Sequence, residues 1–338
     1  MDWRDPDWLE EAHAWIRAHA PGKLIGPIEQ PHVYAWATVL RAPTSDSVLW
    51  FKANAPIQRF EAALALELMQ AAPEVSAELV AAEVERGWLL MRDAGIRLRE
   101  LTAGVEQIEH WVAILPLYAE LQLSLAPRVE RFLALGVPDE RLGRIANHLE
   151  RALEDRDTLL LGRPDGVTQD ELARLHDATR IVASMCSDLA ALEIVETIQH
   201  DDFRDVQVFV SEGGYRFLDW GDSCVSHPFH TMVVTLRVLA WQQGLSPGGR
   251  ELLRLRDAYL EPFGALASPA ELRAAFGLAH RTGTIARALA WHRYFAGDPD
   301  AERDDAVAYW LKMFLANGPI GGWEPRVSAP SSGPLQQP

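Results

Sequence analysis

Strand signals in this chain are confined to about its first ninety residues, and the helical remainder is interrupted by a single hairpin signal. Two runs rich in β-branched and aromatic residues, HVYAWATVLRAP and SVLWFKA, flank a TSDS turn and predict an antiparallel hairpin over 32–42 and 47–53. The apolar period of IQRFEAALALELMQAA predicts a helix over 58–72. AELVAAEVERGWLLMRD predicts a second hairpin, turning near Glu85, Arg86 and Gly87. After Asp93-Ala94-Gly95 the spacing is helical until VQVFV-SEGG-YRFLDW, which alternates, turns and alternates again. Such a distribution predicts an α+β chain, with a small antiparallel sheet and one helix followed by a larger, mainly helical part.

An amphipathic helix is expected from Pro6 to Ala20, with Trp8, Ala12, Trp15 and Ile16 on one side and Arg17 and His19 suited to its C-terminal dipole. In the segment 105–121, Ile108, Trp111, Leu115 and Tyr118 form an apolar stripe, and Pro116 predicts a kink or break near Leu115. Further amphipathic runs cover 140–162, 168–194, 228–243, 249–260, 269–278, 281–296 and 301–316. The resulting segmentation is a helix over 1–22, a small sheet-bearing part over 23–90, a connecting stretch over 91–98 and a helical part over 99–325. The remaining 326–338, rich in Pro, Ser and Gly, is expected to be disordered.

Charge limits the partners. A formal net charge of −16 repels nucleic-acid phosphates and anionic membranes at long range, and is compatible with a cationic small molecule. No run reaches the roughly 18 apolar residues of a membrane span, and MDWRDPDWLEEAHAW is too acidic for a signal peptide, so a cytoplasmic location is expected. Cys186 and Cys224 are the only cysteines and form no metal or disulfide spacing. Nothing in the sequence indicates an oligomeric state.

The hairpin carries the chemistry. If Glu212-Gly213-Gly214 forms a three-residue loop, Gln207 lies opposite Asp219; a four-residue loop moves them one register apart. Either way the open end gathers Gln207, Asp219 and the segment from His200 to Asp202. Two oxygen-bearing side chains beside a further aspartate suit magnesium, which keeps waters and takes other ligands from phosphates. These residue types point to phosphoryl transfer, which needs a base or orienting group, metal ligands and a fixed cation on the nucleotide. The kinase pattern H-x-D, four residues and an amide side chain is met by Asp202, with His200 before it and Gln207 after it. Asp201 fails on both counts.

HDDFRDVQVFV followed by LDWGD resembles the catalytic and metal motifs of the aminoglycoside phosphotransferase family, within the protein-kinase-like fold. The usual pattern there is H-G-D-x-H-x-x-N, a hydrophobic strand, and then I-D-W or I-D-F. The resemblance implies a two-lobed fold and ATP-dependent (or GTP-dependent) transfer of the γ-phosphate to a hydroxylated small molecule, with Mg2+. It implies Asp202 as catalytic base, Asp219 and Gln207 as metal ligands, and Lys52 on the α- and β-phosphates, paired with Glu61. Met91, Arg92 and Ala94, in LLMRDAG, correspond to the hinge beside adenine. The chain departs from the family in Asp201 where glycine is common, in Arg204 for the second histidine, and in Gln207 for asparagine. Glutamine keeps the carbonyl donor, and similar H-G-D-x-H-x-G-Q patterns occur in sugar kinases of the maltokinase type.

Other residues have plainer readings. Lys52 is the one lysine between Lys23 and Lys312, and follows VLWF, which sets it apart from a solvated surface lysine. Glu67 rivals Glu61 on the same predicted helix. His200 reads as a structural member of its loop, Asp205 and Asp222 as solvated or capping acids, and His227 and His230 as helix-start residues. Glutamine at 207 and the absence of G-x-G-x-x-G leave a second reading open, a nucleotide-binding pseudokinase with a regulatory or scaffolding role. A metal-dependent phosphohydrolase is a third.

Overall fold

The computed structural model describes residues 2–297 and 301–316, with the side chain of Val105 excluded. The expected tail over 326–338 lies outside the described residues. The first part of the chain runs α1 (Pro6–His19), β1 (Glu29–Val33), β2 (Ala37–Pro43), β3 (Val48–Asn54), α2 (Glu61–Ala71), β4 (Leu79–Glu83), β5 (Trp88–Arg92) and β6 (Ile96–Arg97). Helices α3 (Leu98–Leu101), α4 (Gly104–Leu125), α5 (Val129–Ala134), α6 (Leu142–Glu154) and α7 (Gln169–Ala190) follow. Four short strands come next, β7 (Thr197–Gln199), β8 (Val208–Ser211), β9 (Gly214–Phe217) and β10 (Cys224–Ser226). Helices α8 (Thr231–Gln243), α9 (Arg250–Leu260), α10 (Pro269–Gly297) and α11 (Ala306–Ala316) complete the described chain. None of the described helices is long and apolar enough to cross a membrane.

Two compact units emerge, and neither is continuous in sequence. Unit 1 comprises Met1–Thr102, Ala134–Val137 and Asp205–Asp222; unit 2 comprises Ala103–Leu133, Pro138–Arg204 and the chain from Ser223 onward. In unit 1 a five-stranded antiparallel sheet has the order β1-β2-β3-β5-β4. Alternation along β3 sends Leu49, Phe51 and Ala53 to one face, where they join Leu40, Ala42, Trp88 and Leu90 in a buried cluster. Ala12 and Ile16 of α1 cover that face, and Asp5 caps the helix by accepting from the Asp7 and Trp8 amides. Lys52, one residue out of phase, therefore stands on the opposite face. A second sheet, β6-β8-β9, belongs to the same unit.

Several expectations change. The strand expected over 32–42 is two strands, β1 and β2, separated by a turn at residues 34–36 whose Tyr34 and Trp36 read as strand formers. Helix α2 begins at Glu61, behind a 3-10 turn over Pro56–Gln58. Helix α4 runs through Pro116 without a break; Ile114, Leu115, Tyr118 and Ala119 are fully buried, and their packing offsets the roughly 3 kcal/mol that an interior proline costs. The runs over 269–278 and 281–296 are one helix, because Ala279 and His280 at the apparent gap are themselves buried. Finally, the hairpin loop has two residues: Ser211 pairs with Gly214 and Val208 with Phe217. Gly214 adopts φ +106° and enters the ladder, where a side chain would be strained. Gln207 consequently faces Leu218, whose amide donates to its carbonyl at 3.0 Å.

Unit 2 is helical apart from β7 and β10, which pair antiparallel. Helices α8 and α10 meet closely at Gly283, where a Cβ would lie 2.5 Å from Val233 Cγ2. Gly283→Ala is expected to lower stability by about 1–3 kcal/mol through overpacking, read from the urea midpoint at constant slope. Nearby, buried His230 binds Ser226 Oγ at 3.0 Å through Nδ1 and Thr282 Oγ1 at 2.9 Å through Nε2. Burial lowers its pKa to about 3. The unfolded histidine takes up a proton below pH 6.5 while the folded one does not, so stability falls with pH between these values. The loss from this residue is about 2 kcal/mol at pH 5. A His230→Gln variant should show a correspondingly flatter dependence of denaturation midpoint on pH; an unchanged slope would exclude His230 as its source.

Candidate active site

In unit 1, three candidate residues from distant parts of the chain meet on the face of the sheet opposite α1. Lys52 Nζ donates to Glu61 Oε2 at 2.6 Å and to Asp219 Oδ1 at 2.5 Å. Of the two helix acids weighed, Glu61 is thus the one on Lys52. It sits in the first turn of α2, where a carboxylate suits the helix dipole, and its other oxygen accepts the Trp220 amide at 2.9 Å. Burial alone would lower the Lys52 pKa, but the carboxylates of Asp219 and Glu61 outweigh it and hold the ammonium above the ordinary lysine range. Glu61 is pushed up by its burial, against the pull of Lys52. Asp219 differs from both in being 44% exposed, against 8% and 4% for Lys52 and Glu61.

One ammonium between two carboxylates leaves a surplus negative charge, and it lies on the side with access to solvent. That donor set fits a hard cation. Asp219 adopts φ +67°, immediately beyond the β8–β9 ladder, so the alternation rule that would send Gln207 and Asp219 to opposite faces ends before it. Trp220 Nε1 donates to the Phe217 carbonyl at 3.1 Å, and Asp222 accepts from Gln58 Nε2 at 2.9 Å, which pin the following turn. Asp205 is therefore not solvated, being buried in a two-pronged pair with Arg99 at 3.1 and 2.9 Å, whereas Asp222 is only partly buried. In the expected hinge, Met91 pairs with Trp50 and Leu79, and the Arg92 amide donates to the Glu78 carbonyl at 2.9 Å. Ala94 is buried.

In unit 2, Asp202 Oδ2 accepts from Arg204 Nη2 at 2.7 Å, and its Oδ1 lies 3.5 Å from Arg287 Nη2. Burial works to raise the Asp202 pKa, but Arg204 and then Arg287 override it and hold the carboxyl below its ordinary value. Arg287 also donates to Asp201 Oδ2 at 2.9 Å, and Asp201 adopts φ +63°. The acid without a role in the sequence is thus the inner half of a buried network, joined to Asp202 by one guanidinium. Sequence reasoning missed Arg287, which lies on α10, some 85 residues away, with no local motif to mark it. The rest of the loop is anchored from two helices. The His200 amide donates to Tyr118 Oη at 3.0 Å, Phe203 stacks on Tyr118 at 4.1 Å, and Thr235 Oγ1 of α8 donates to the Phe203 carbonyl at 2.7 Å. His200 is fully buried, and His227 caps the turn before α8 by accepting from the Phe229 amide.

Sequence comparison finds no matching family model and no matching curated protein. Structural comparison does find relatives over nearly the whole length. The ethanolamine kinase of Plasmodium vivax is 11% identical, with 93% of this chain and 89% of that one covered at a TM-score of 0.62. The choline kinase LicA of Streptococcus pneumoniae is 12% identical, with 91% and 98% covered at 0.60. The macrolide 2′-phosphotransferase MphH of Brachybacterium faecium is 15% identical, with 94% and 100% covered at 0.54. At such identities the likeness concerns the path of the chain, and on that ground the chain has a protein-kinase-like fold.

Proposed function

We propose that the chain is a nucleotide-dependent small-molecule O-kinase, transferring the γ-phosphate of ATP or GTP to a substrate hydroxyl in the cytoplasm. The observation that carries this reading is the Lys52, Glu61 and Asp219 cluster, assembled from positions up to 167 residues apart within a kinase-like fold. Lys52 neutralises charge on the non-transferred phosphates, and Glu61 keeps it directed there. Residues 23–90 act as the nucleotide lobe and 91–98 as its hinge, with Met91, Arg92 and Ala94 beside the base; residues 99–325 supply the acceptor side. Asp219 and Gln207 are the residues that would hold magnesium, whose chemistry when bound is to offset negative charge on the phosphates. Asp202 orients the acceptor hydroxyl and takes its proton. Its ionised state is supported by Arg204 and Arg287.

Beside Gln207 and the missing glycine-rich motif, the same pair of arginines favours the pseudokinase reading, since both carboxylate oxygens of Asp202 already face a cation. A coupled nucleotide-consumption screen over aminoglycosides, sugars, amino alcohols and nucleosides separates the two. Consumption that requires an acceptor supports the kinase. Nucleotide binding with no transfer to any acceptor supports the pseudokinase, and acceptor-independent phosphate release would indicate a hydrolase.

A further inference from the structure

We propose that unit 2 contains an anion-binding position at Arg237, where α8, α10 and α11 come together, and that it receives a carboxylate or phosphate group of the acceptor. Arg237 lies on α8, and its Nε is sealed from solvent with no hydrogen-bond partner. Among the described residues no carboxylate pairs with it. Three other partly or fully buried arginines hold acids: Arg99 is paired with Asp205, Arg287 with Asp201 and Arg293 with Glu140. A chain with 48 acids against 32 basic residues has no shortage of partners. Arg237 is partly buried, with only its Nε sealed, so its outer nitrogens remain open to an anion that no carboxylate of the fold already replaces.

The surroundings of Arg237 supply donors rather than acids. Burial pulls its pKa down to about 10, with the Tyr309 hydroxyl of α11 the one group opposing the shift. His280 of α10 is kept neutral by its burial and then by the Arg237 charge, so it adds no second positive charge in the absence of ligand. The next residue on α10, Arg281, also has a buried Nε with no partner, and its guanidinium lies 5.1 Å from the ring centroid of Phe314 on α11.

Position relative to Asp202 gives the site its role. Thr235, two residues before Arg237 on α8, holds the Phe203 carbonyl. Arg287, on the same helix as His280 and two turns or about 10 Å further along, holds Asp201 and approaches Asp202. The two helices that present the unpaired cation are therefore the ones that fix the loop of the candidate base. An acceptor that carries both a hydroxyl and an anionic group is the class of molecule this arrangement suits. The acidic surface suggests a cation; the local charge at Arg237 selects the opposite sign.

The acceptor part of this inference rests on the kinase reading, whereas anion binding does not. Thermal unfolding of the full chain should be followed in sodium sulfate and in sodium chloride of equal ionic strength. Beyond the non-saturating rise that sulfate gives by exclusion, a saturable rise of about 2 °C or more is expected in the parent, less in Arg237→Lys, and none in Arg237→Met. Equal sulfate shifts in parent and Arg237→Met, or no shift in the parent, would overturn the site. In the nucleotide-consumption assay, hydroxy acids should show at least tenfold lower KM than their own amides, a preference lost in Arg237→Met with kcat little changed. Turnover of neutral acceptors with no preference for acids overturns the inference and leaves the kinase standing. An Arg237-dependent sulfate shift with no phosphorylated acceptor overturns the kinase and leaves the anion site.

Discussion

Replacing Asp202 by asparagine is expected to lower kcat by about 1000-fold while leaving nucleotide affinity within about twofold. Asparagine keeps the shape of the side chain and removes the ability to take a proton. The two effects separate because Lys52, Glu61 and Asp219, the residues assigned to the nucleotide, belong to the other unit. Arg204 loses its ion-pair partner in this variant, whereas Arg287 keeps Asp201 at 2.9 Å. A modest loss of stability, about 1–3 kcal/mol, should accompany the kinetic effect. Single-turnover rates and calorimetric nucleotide binding check the two parts independently. A variant that retains more than a tenth of the parent kcat on an accepted substrate would remove Asp202 from the mechanism.

Lys52→Met has the second large effect, and here stability and activity fall together. Methionine has a similar length and no charge, so Glu61, 4% exposed, is left facing Asp219 without a cation. Breaking a buried pair in this way costs about 3–5 kcal/mol, and the urea midpoint should drop accordingly. Adding Glu61→Gln removes the stranded charge and should recover more than half of that loss. Activity should stay absent in the double variant, because the proposed phosphate contact is still missing. That split distinguishes a structural lysine from one that also contacts the nucleotide. Full activity in the double variant would show that the cluster serves the fold alone.

What the sequence revealed depended on distance along the chain. The α+β division, α1, α2 and the hairpin at Gly87 follow from patterns of fewer than twenty residues, and the structure contains them. Lys52 drew notice because lysine is rare here, and Asp202 because H-x-D and the amide side chain lie within eight residues. Arg287 and Arg237 had no such signal, since a buried ion pair, or the lack of one, is set by residues far away in sequence. Strands β7 and β10, three residues each, are too short to alternate detectably, and both are held by burial. The loop register turned on whether Gly214 belonged to the turn or the strand, which the letters SEGG leave open.

The interrupted makeup of unit 1 also bears on how the chain is made. Its first segment ends at Thr102, and the segment bearing Asp219 is finished only at Asp222, about 120 residues later. At a synthesis rate of roughly 5–20 residues per second, Lys52 and Glu61 wait on the order of 8–33 seconds for their third partner, 167 and 158 residues further on. During that interval β6 lacks the strand it pairs with, and its backbone groups are open to other chains. Slower codons after residue 102 would lengthen the exposure. Yield of folded protein should therefore respond to translation speed between residues 102 and 222 more than to speed after it.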